Sequence, residues 1–478
     1  MNTHNHILIR SRDTRAAASN FNYRTRRRLA QSVMAATSST APAIDFDGIF
    51  SQYTGNAIVD RLLYVADHAR DVGVVTEALR HAKRALEGRV DAFSLKPTTS
   101  NGCAYERAMA IAKKREVDAS VVGFTKAWLE ENARRADGEL DKLETGLTDL
   151  LTERVKENLR MQYVELGDHY YDRGELKKAL ECYMRTRDYC STPKHVVFMC
   201  LSVVSVSLEM GNFAHVNVHA NKATAALQNM DEDASVRTDQ AKLACACGIA
   251  ALRMGRFREA AIKFTEINVE IGTHYANVCA ARDVATYGTL CALASFNREE
   301  LRDLVLNNQK GAFRAHLETA SDIREVVNDF YNSKYTSCFA TLDGMREALT
   351  LDIHLGAHID ALYKRIRDRA LIQYVEPYFT VDLCVMAQAF NTTAEKVQDE
   401  LARLIEEDKI RAKIDASECT LHALKENPRV KVVEQVIADG ERFETETRAA
   451  LLKMSLLKND VVSRPEHDGA RSHRSLDE

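Results

Sequence analysis

Turn-forming residues are scarce in this chain, with 20 Gly and 6 Pro among 478 residues, against average usages of roughly 7% and 5%. A sheet-rich fold needs turn punctuation every dozen residues or so. All-β architectures are therefore excluded and long helices are expected. The length exceeds the roughly 250 to 300 residues at which a single hydrophobic core stops growing, so two or more domains are required. Apolar residues at 45% and charged residues at 28% can build real cores and exclude wholesale disorder.

From Ile44 onward the pattern is helix after helix. Ile58, Leu62, Val65 and Ala66 share one helical face, and Leu140, Leu143, Leu147, Leu150 and Leu151 form a buried stripe in a charged segment. Pro97, Thr98, Thr99, Ser100 and Gly102 mark a loop between Ser94 and Cys103. A repeat then appears. Leu166-Gly167, Tyr170, Gly174, Ala179 and Tyr183 fall at the offsets of a tetratricopeptide-type helix pair, in which small residues let antiparallel helices approach and an aromatic ring fills the groove. Similar turns recur at Met210-Gly211-Asn212-Phe213 and Met254-Gly255-Arg256-Phe257, the latter followed by Ala260 and Phe264. Spacings of 37 and 44 residues between the turn glycines suit a divergent α-solenoid, which offers surface to partners.

Net charge is -4, which excludes a polyanion binder by composition. The charge is uneven. Residues 1–43 carry seven Arg (10, 12, 15, 24, 26, 27 and 28) against one acid, Asp13. This arm resembles a mitochondrial presequence in its Arg and Ser bias. Residues 1–33 read instead as a disordered extension, or as an upstream artefact of start-site choice, because Met34 opens a small-residue leader before the first patterned segment. The longest largely apolar uncharged run, 284–297, has 14 residues, short of the roughly 18 to 20 needed to span a bilayer. No membrane partner is expected. Eleven Cys occur without a CxxC, a pattern expected of small core residues in a reducing compartment.

After about residue 375 the grammar changes. A long helix from Leu351 to Tyr374 should end before Pro377, with a short helix over Val381 to Phe390. Thr392-Thr393-Ala394-Glu395 reads as a capping box opening a helix over Ala394 to Glu407 that turns Val397, Leu401, Leu404 and Ile405 inward. Lys409 to Asp415 alternates strictly, and Cys419 to Leu424 is a second extended run across the turn Asp415 to Glu418. Helix, helix, strand, turn, strand is a winged helix. Its would-be recognition helix holds Glu395, Asp399, Glu400, Glu406 and Glu407 against Lys396 and Arg403, so it repels phosphate and nucleic acid is not an expected partner.

No phosphate-loop, dinucleotide, nucleophile-elbow or HExxH motif occurs. His354 and His358 have the i, i+4 spacing of a metal pair on one helical face, but Leu355 stands where a zinc protease needs its Glu and no third ligand is indicated. Neither His4 nor His6 has a Ser and Asp at metalloprotease spacing. Catalytic, cofactor-binding and metal residues are all assigned as none. Pro428 to Lys458 reads as one long helix whose Val433, Val436, Gly440, Phe443, Thr447, Ala450, Met454 and Leu457 step by three and four. This is a heptad seam longer than one small winged helix can cover, which favours a multi-chain bundle.

Five segments carry a family likeness: 187–195 (RDYCSTPKH), 287–296 (YGTLCALASF), 333–335 (SKY), 369–374 (RALIQY) and 389–393 (AFNTT). Over roughly residues 44–460 the chain resembles the PCI family, shared by the proteasome lid, the signalosome and translation initiation factor three, and within it the signalosome branch. The resemblance implies an all-α solenoid of TPR-like repeats, then a PCI domain with a small α+β winged helix and a long C-terminal helix. The expected boundaries are a disordered basic arm at 1–43, the solenoid at 44–295, the PCI domain at 296–427 (helical part 296–375, winged helix 376–427), the bundle helix at 428–458 and a disordered tail at 459–478. It also implies a noncatalytic scaffold, cytoplasmic and nuclear, in a complex that removes the ubiquitin-like protein NEDD-eight from cullin-RING ligases. Its neighbours would be signalosome subunits two and three and the helical bundle. Ile410, Arg411, Ala412, Lys413 and Ile414 on the wing, with Val433, Val436, Phe443, Ala450, Met454 and Leu457 on the last helix, are the expected interface residues. The equivalent proteasome-lid subunit and a nucleic-acid-binding PCI protein are the alternatives.

Overall fold

The computed structural model describes residues 46, 48, 52–87, 104–115, 117, 126–153, 155–231, 233–268, 271, 275–307, 312–424, 428–459 and 461. The expected loop at 94–103, residues 1–43 and most of the tail lie outside them. The chain divides into two compact units, Met1–Asn332 with Ser337–Ile366, and Ser333–Thr336 with Arg367–Glu478.

In unit one, α1 (Asn56–His68), α2 (Val72–Glu87) and α3 (Ala104–Lys114) enclose a core of Leu62, Leu63, Ala66, Val75, Ala78, Leu79, Ala108 and Ala112. After the long α4 (Lys126–Glu153) come three helical hairpins: α5 (Lys156–Asp172) with α6 (Leu176–Arg185), α7 (Pro193–Glu209) with α8 (Phe213–Leu227), and α9 (Ala234–Arg253) with α10 (Phe257–Thr265). Each turns at a glycine in the left-handed region, Gly174 at φ 78°, Gly211 at 73° and Gly255 at 73°, a conformation that costs other L-residues a backbone clash. The small-against-aromatic packing expected of the repeat is present. A methyl at Gly167 would lie 2.6 Å from the Tyr183 ring, and one at Gly248 would lie 2.9 Å from Phe264. The unit continues through α11 (Ala281–Ser295), a short turn at Arg298–Glu300 that runs into π-helical Leu301–Leu306, α12 (Ala312–Glu318) and α13 (Ser321–Tyr331). Next come α14 (Tyr335–Thr350) and α15 (Ile359–Val375).

Helix α15 begins eight residues later than the sequence pattern predicts, because residues 351–358 form turns. The cause is Asp352. Its Oδ1 accepts from the backbone N–H of His354 at 2.8 Å and of Leu355 at 3.0 Å, an Asp side chain competing with the helical ladder. Its Oδ2 accepts from Arg61 Nη1 at 3.1 Å and from the Tyr287 hydroxyl at 2.7 Å. Arg61 Nη2 also donates to Asp283 Oδ2 at 3.0 Å, Tyr53 OH donates to the same carboxylate at 2.7 Å, and the guanidinium lies 4.2 Å from the Tyr53 ring centre. Residues up to 291 positions apart are thereby clasped in the interior. Burial raises the Asp283 carboxyl above its usual range in spite of Arg61. Burial works against ionised Asp352 too, yet Arg61, His354 and Tyr287 hold it below the usual range.

The two histidines of the supposed metal pair do not share a helical face, since both lie in these turns. His354 packs edge-on to Tyr287, and burial, with Arg61 adding to it, pushes its pKa down to about 3. His358 Nε2 lies 3.2 Å from the Arg253 carbonyl.

Candidate protein-interaction surface

Unit two is a winged helix followed by one long helix. Its elements are β1 (Thr380–Asp382), α16 (Leu383–Ala389), α17 (Ala394–Glu406), β2 (Ala412–Asp415), β3 (Thr420–Ala423) and α18 (Pro428–Lys458). The sequence pattern predicts a helix from Val381 and misses β1. Asp382 makes the difference, because its side chain caps α16 by accepting from the N–H groups of Cys384 at 2.7 Å and Val385 at 3.4 Å, which leaves Thr380, Val381 and Asp382 itself extended. Thr393 is the N-cap of α17 but makes no side-chain capping bond, so the expected capping box is not formed.

Three of the segments that carry the family likeness meet in this unit. Tyr335 stacks on Phe390 with ring centres 5.0 Å apart, Tyr374 meets Phe390 edge-on at 5.7 Å, and Thr336 Oγ1 donates to the Ala389 carbonyl at 2.6 Å. These residues are the aromatic centre of the unit. Of the acids of α17, Glu400 takes Arg367 at 2.9 Å, while Arg403 of the same helix pairs with Asp368 of α15.

The sheet order is β1-β3-β2, all antiparallel, so β2 and β1 each keep one outer edge. An unpaired edge presents a row of backbone donors and acceptors to another chain. Within the wing, Ile410 and Ala412 are buried, Ile414 is half-buried, and Arg411 and Lys413 are exposed. Ile410 and Ala412 therefore hold the strand in place, and Arg411, Lys413 and the open backbone edge are what β2 leaves exposed. At the end of the sheet where the Ala423 N–H donates to the Phe379 carbonyl at 2.8 Å, Tyr378, Phe379 and Leu424 are 51%, 70% and 50% exposed. Sequence reasoning passed over them, although two aromatics directly after Pro377 in a charged context were the available signal.

Helix α18 has the bounds that the sequence predicts. Every residue from Arg429 to Ser455 is exposed, including Val433, Val436, Phe443, Ala450 and Met454, and Leu457 is half-buried. Val432, Ile437, Leu451 and Leu452 add further exposed apolar surface. A helix with such a face is stabilised by packing against something else.

Comparison with known proteins agrees with this architecture. Residues 125–304 match the family model described as 26S proteasome subunit RPN7, and residues 320–425 match the PCI domain. The chain is 38% identical to COP9 signalosome complex subunit 1 of Arabidopsis thaliana over 421 residues, covering 88% of this chain and 91% of the relative. It is 32% identical to subunit 1b of Drosophila melanogaster over 474 residues, covering 90% and 89%. Similarity to the 26S proteasome non-ATPase regulatory subunit 6 of Oryza sativa subsp. japonica is weaker, at 23% over 326 residues, covering 68% and 80%. With its helical repeats, PCI domain and long final helix, the chain belongs to the COP9 signalosome subunit 1 family.

Proposed function

We propose that the chain is a noncatalytic scaffold subunit of a signalosome, acting in the cytoplasm and nucleus. In this role it supports removal of NEDD-eight from cullin-RING ligases by an isopeptidase in another subunit. The observation that carries the reading is α18, a helix of 31 residues with its apolar side chains exposed along nearly its whole length. Bundling with helices of other subunits would bury that face, and the open edges of β1 and β2 offer backbone pairing to PCI neighbours two and three. The greater identity and coverage of the signalosome relatives favour this assembly over the proteasome lid.

The test is affinity purification of the tagged full-length chain from its own cells, followed by mass spectrometry and a deneddylation assay. Recovery of PCI subunits, a metalloprotease subunit and cullins, with activity that a chelator abolishes, supports the proposal. Recovery of proteasomal ATPases instead, or deneddylating activity in the purified single chain, contradicts it.

A further inference from the structure

A trough runs along the solenoid of unit one, with a volume of about 660 Å³, inside the range of roughly 300 to 1,000 Å³ typical of ligand clefts. It is lined by residues of α5, α7 and α9, by Leu227 at the end of α8 with Met230 after it, and by Tyr275 and Asn277 just before α11. Two large apolar side chains, Met161 on α5 and Phe198 on α7, stand on it half-exposed, at 50% and 48%. At its floor lies Tyr275, only 4% exposed, whose hydroxyl has no hydrogen-bond partner. Ser205 lies near enough to influence that phenol, but not in hydrogen-bonding geometry. An orphaned buried hydroxyl is costly to the free chain, and a ligand group placed in the trough would relieve it.

Charge says what kind of ligand. Arg160 is occupied by Glu157 and Lys242 by Asp239 at 3.1 Å. Lys194, in the first turn of α7, is exposed and has no acidic partner among the described residues. The positive N-terminal end of α7 reinforces it there. The acid Glu165 lies further along α5, so the trough is polarised, with its positive end at the helix starts.

We propose that this trough docks a linear segment of a partner protein that carries an acidic residue for Lys194, a large apolar side chain between Met161 and Phe198, and a backbone carbonyl for the Tyr275 hydroxyl. A trough open along three helices suits an extended chain, since a compact small molecule would leave the apolar lips wet. The inference concerns the solenoid alone and does not depend on the assembly proposed for unit two.

The experiment displays random 12-residue peptides to the immobilised full-length chain, with counter-selection against a Lys194→Glu/Phe198→Ser double variant. The enriched peptides are then titrated by fluorescence polarisation. The expected result is enrichment of sequences that pair an acid with Phe, Leu, Met or Trp. Lys194→Glu and Phe198→Ser, both at exposed positions, should each weaken binding at least tenfold while leaving the melting temperature unchanged. Tyr275→Phe should weaken binding three- to tenfold without lowering the melting temperature, since the hydroxyl it removes is bonded to nothing in the free chain. The inference is overturned if no peptide is enriched over the double variant, if the enriched peptides lack acids, or if they bind the single variants as well as the parent.

Discussion

Removing the Arg61 side chain would strand Asp283 and Asp352 in the interior, where each now takes one arm of the guanidinium. Breaking a buried pair from one side typically costs about 3 to 5 kcal/mol because the remaining charge is uncompensated. Arg61→Ala should lower stability by about that amount in urea unfolding, and Asp283→Asn by less, because burial already favours the protonated Asp283. Buried histidines add an acid dependence. His354 is held at about 3, by burial first and then Arg61, and His219 at about 4, by burial first and then His215. Both pKa values are depressed below the unfolded value of roughly 6.5, so the unfolded chain binds the extra protons. Their contribution is fully present above that value and is lost as pH falls toward 4 and below. Melting temperature should therefore drop between pH 7 and pH 4, and a His219→Asn/His354→Gln variant should show a shallower drop. An equal slope in parent and variant would contradict this. Arg61 was not legible in the sequence, since an Arg among Val59, Leu62 and Leu63 looks like the edge of a helix face, and its carboxylate partners lie more than 200 positions away.

Elements were more legible than residues wherever one local rule decided them. The hairpins follow from glycines at φ near 75° and from Gly167 and Gly248 beneath aromatic rings. Helix α18 follows from an unbroken three-and-four stepping with no competing turn signal. The errors fell where a side chain overrode the local pattern: Asp352 delayed α15, and the Asp382 cap created room for β1. Of the expected wing contacts, the alternation placed Arg411 and Lys413 outward, while Ile410 and Ala412 went to the core. Ala412 pairs with Ala423 on the central strand and is buried. Ala412→Pro should disrupt β2 and remove the edge it offers. Co-purification with PCI partners should then fall at least fivefold, while circular dichroism of the all-helical unit one stays within a few per cent. A folded variant that retains every partner would show that this edge is not used.

At the scale of the whole molecule, the division of labour is a repeat solenoid stabilised from within by the Arg61 clasp and a second unit whose last helix carries its apolar side chains outside. The two parts should respond differently to surface truncation. Phe443 and Met454 are 71% and 67% exposed, so their truncation should change the stability of the isolated chain by no more than about 0.5 kcal/mol each. In a packed helical bundle the same changes typically cost about 2 to 5 kcal/mol per side chain. The most direct test of the scaffold reading is therefore one paired measurement on a Phe443→Ala/Met454→Ala/Leu457→Ala variant, namely the melting temperature of the purified chain beside its recovery in the reconstituted complex. The account predicts melting within a degree or two of the parent and at least a tenfold loss of incorporation. Full incorporation, or a fall in melting that matches the loss of assembly, would contradict it.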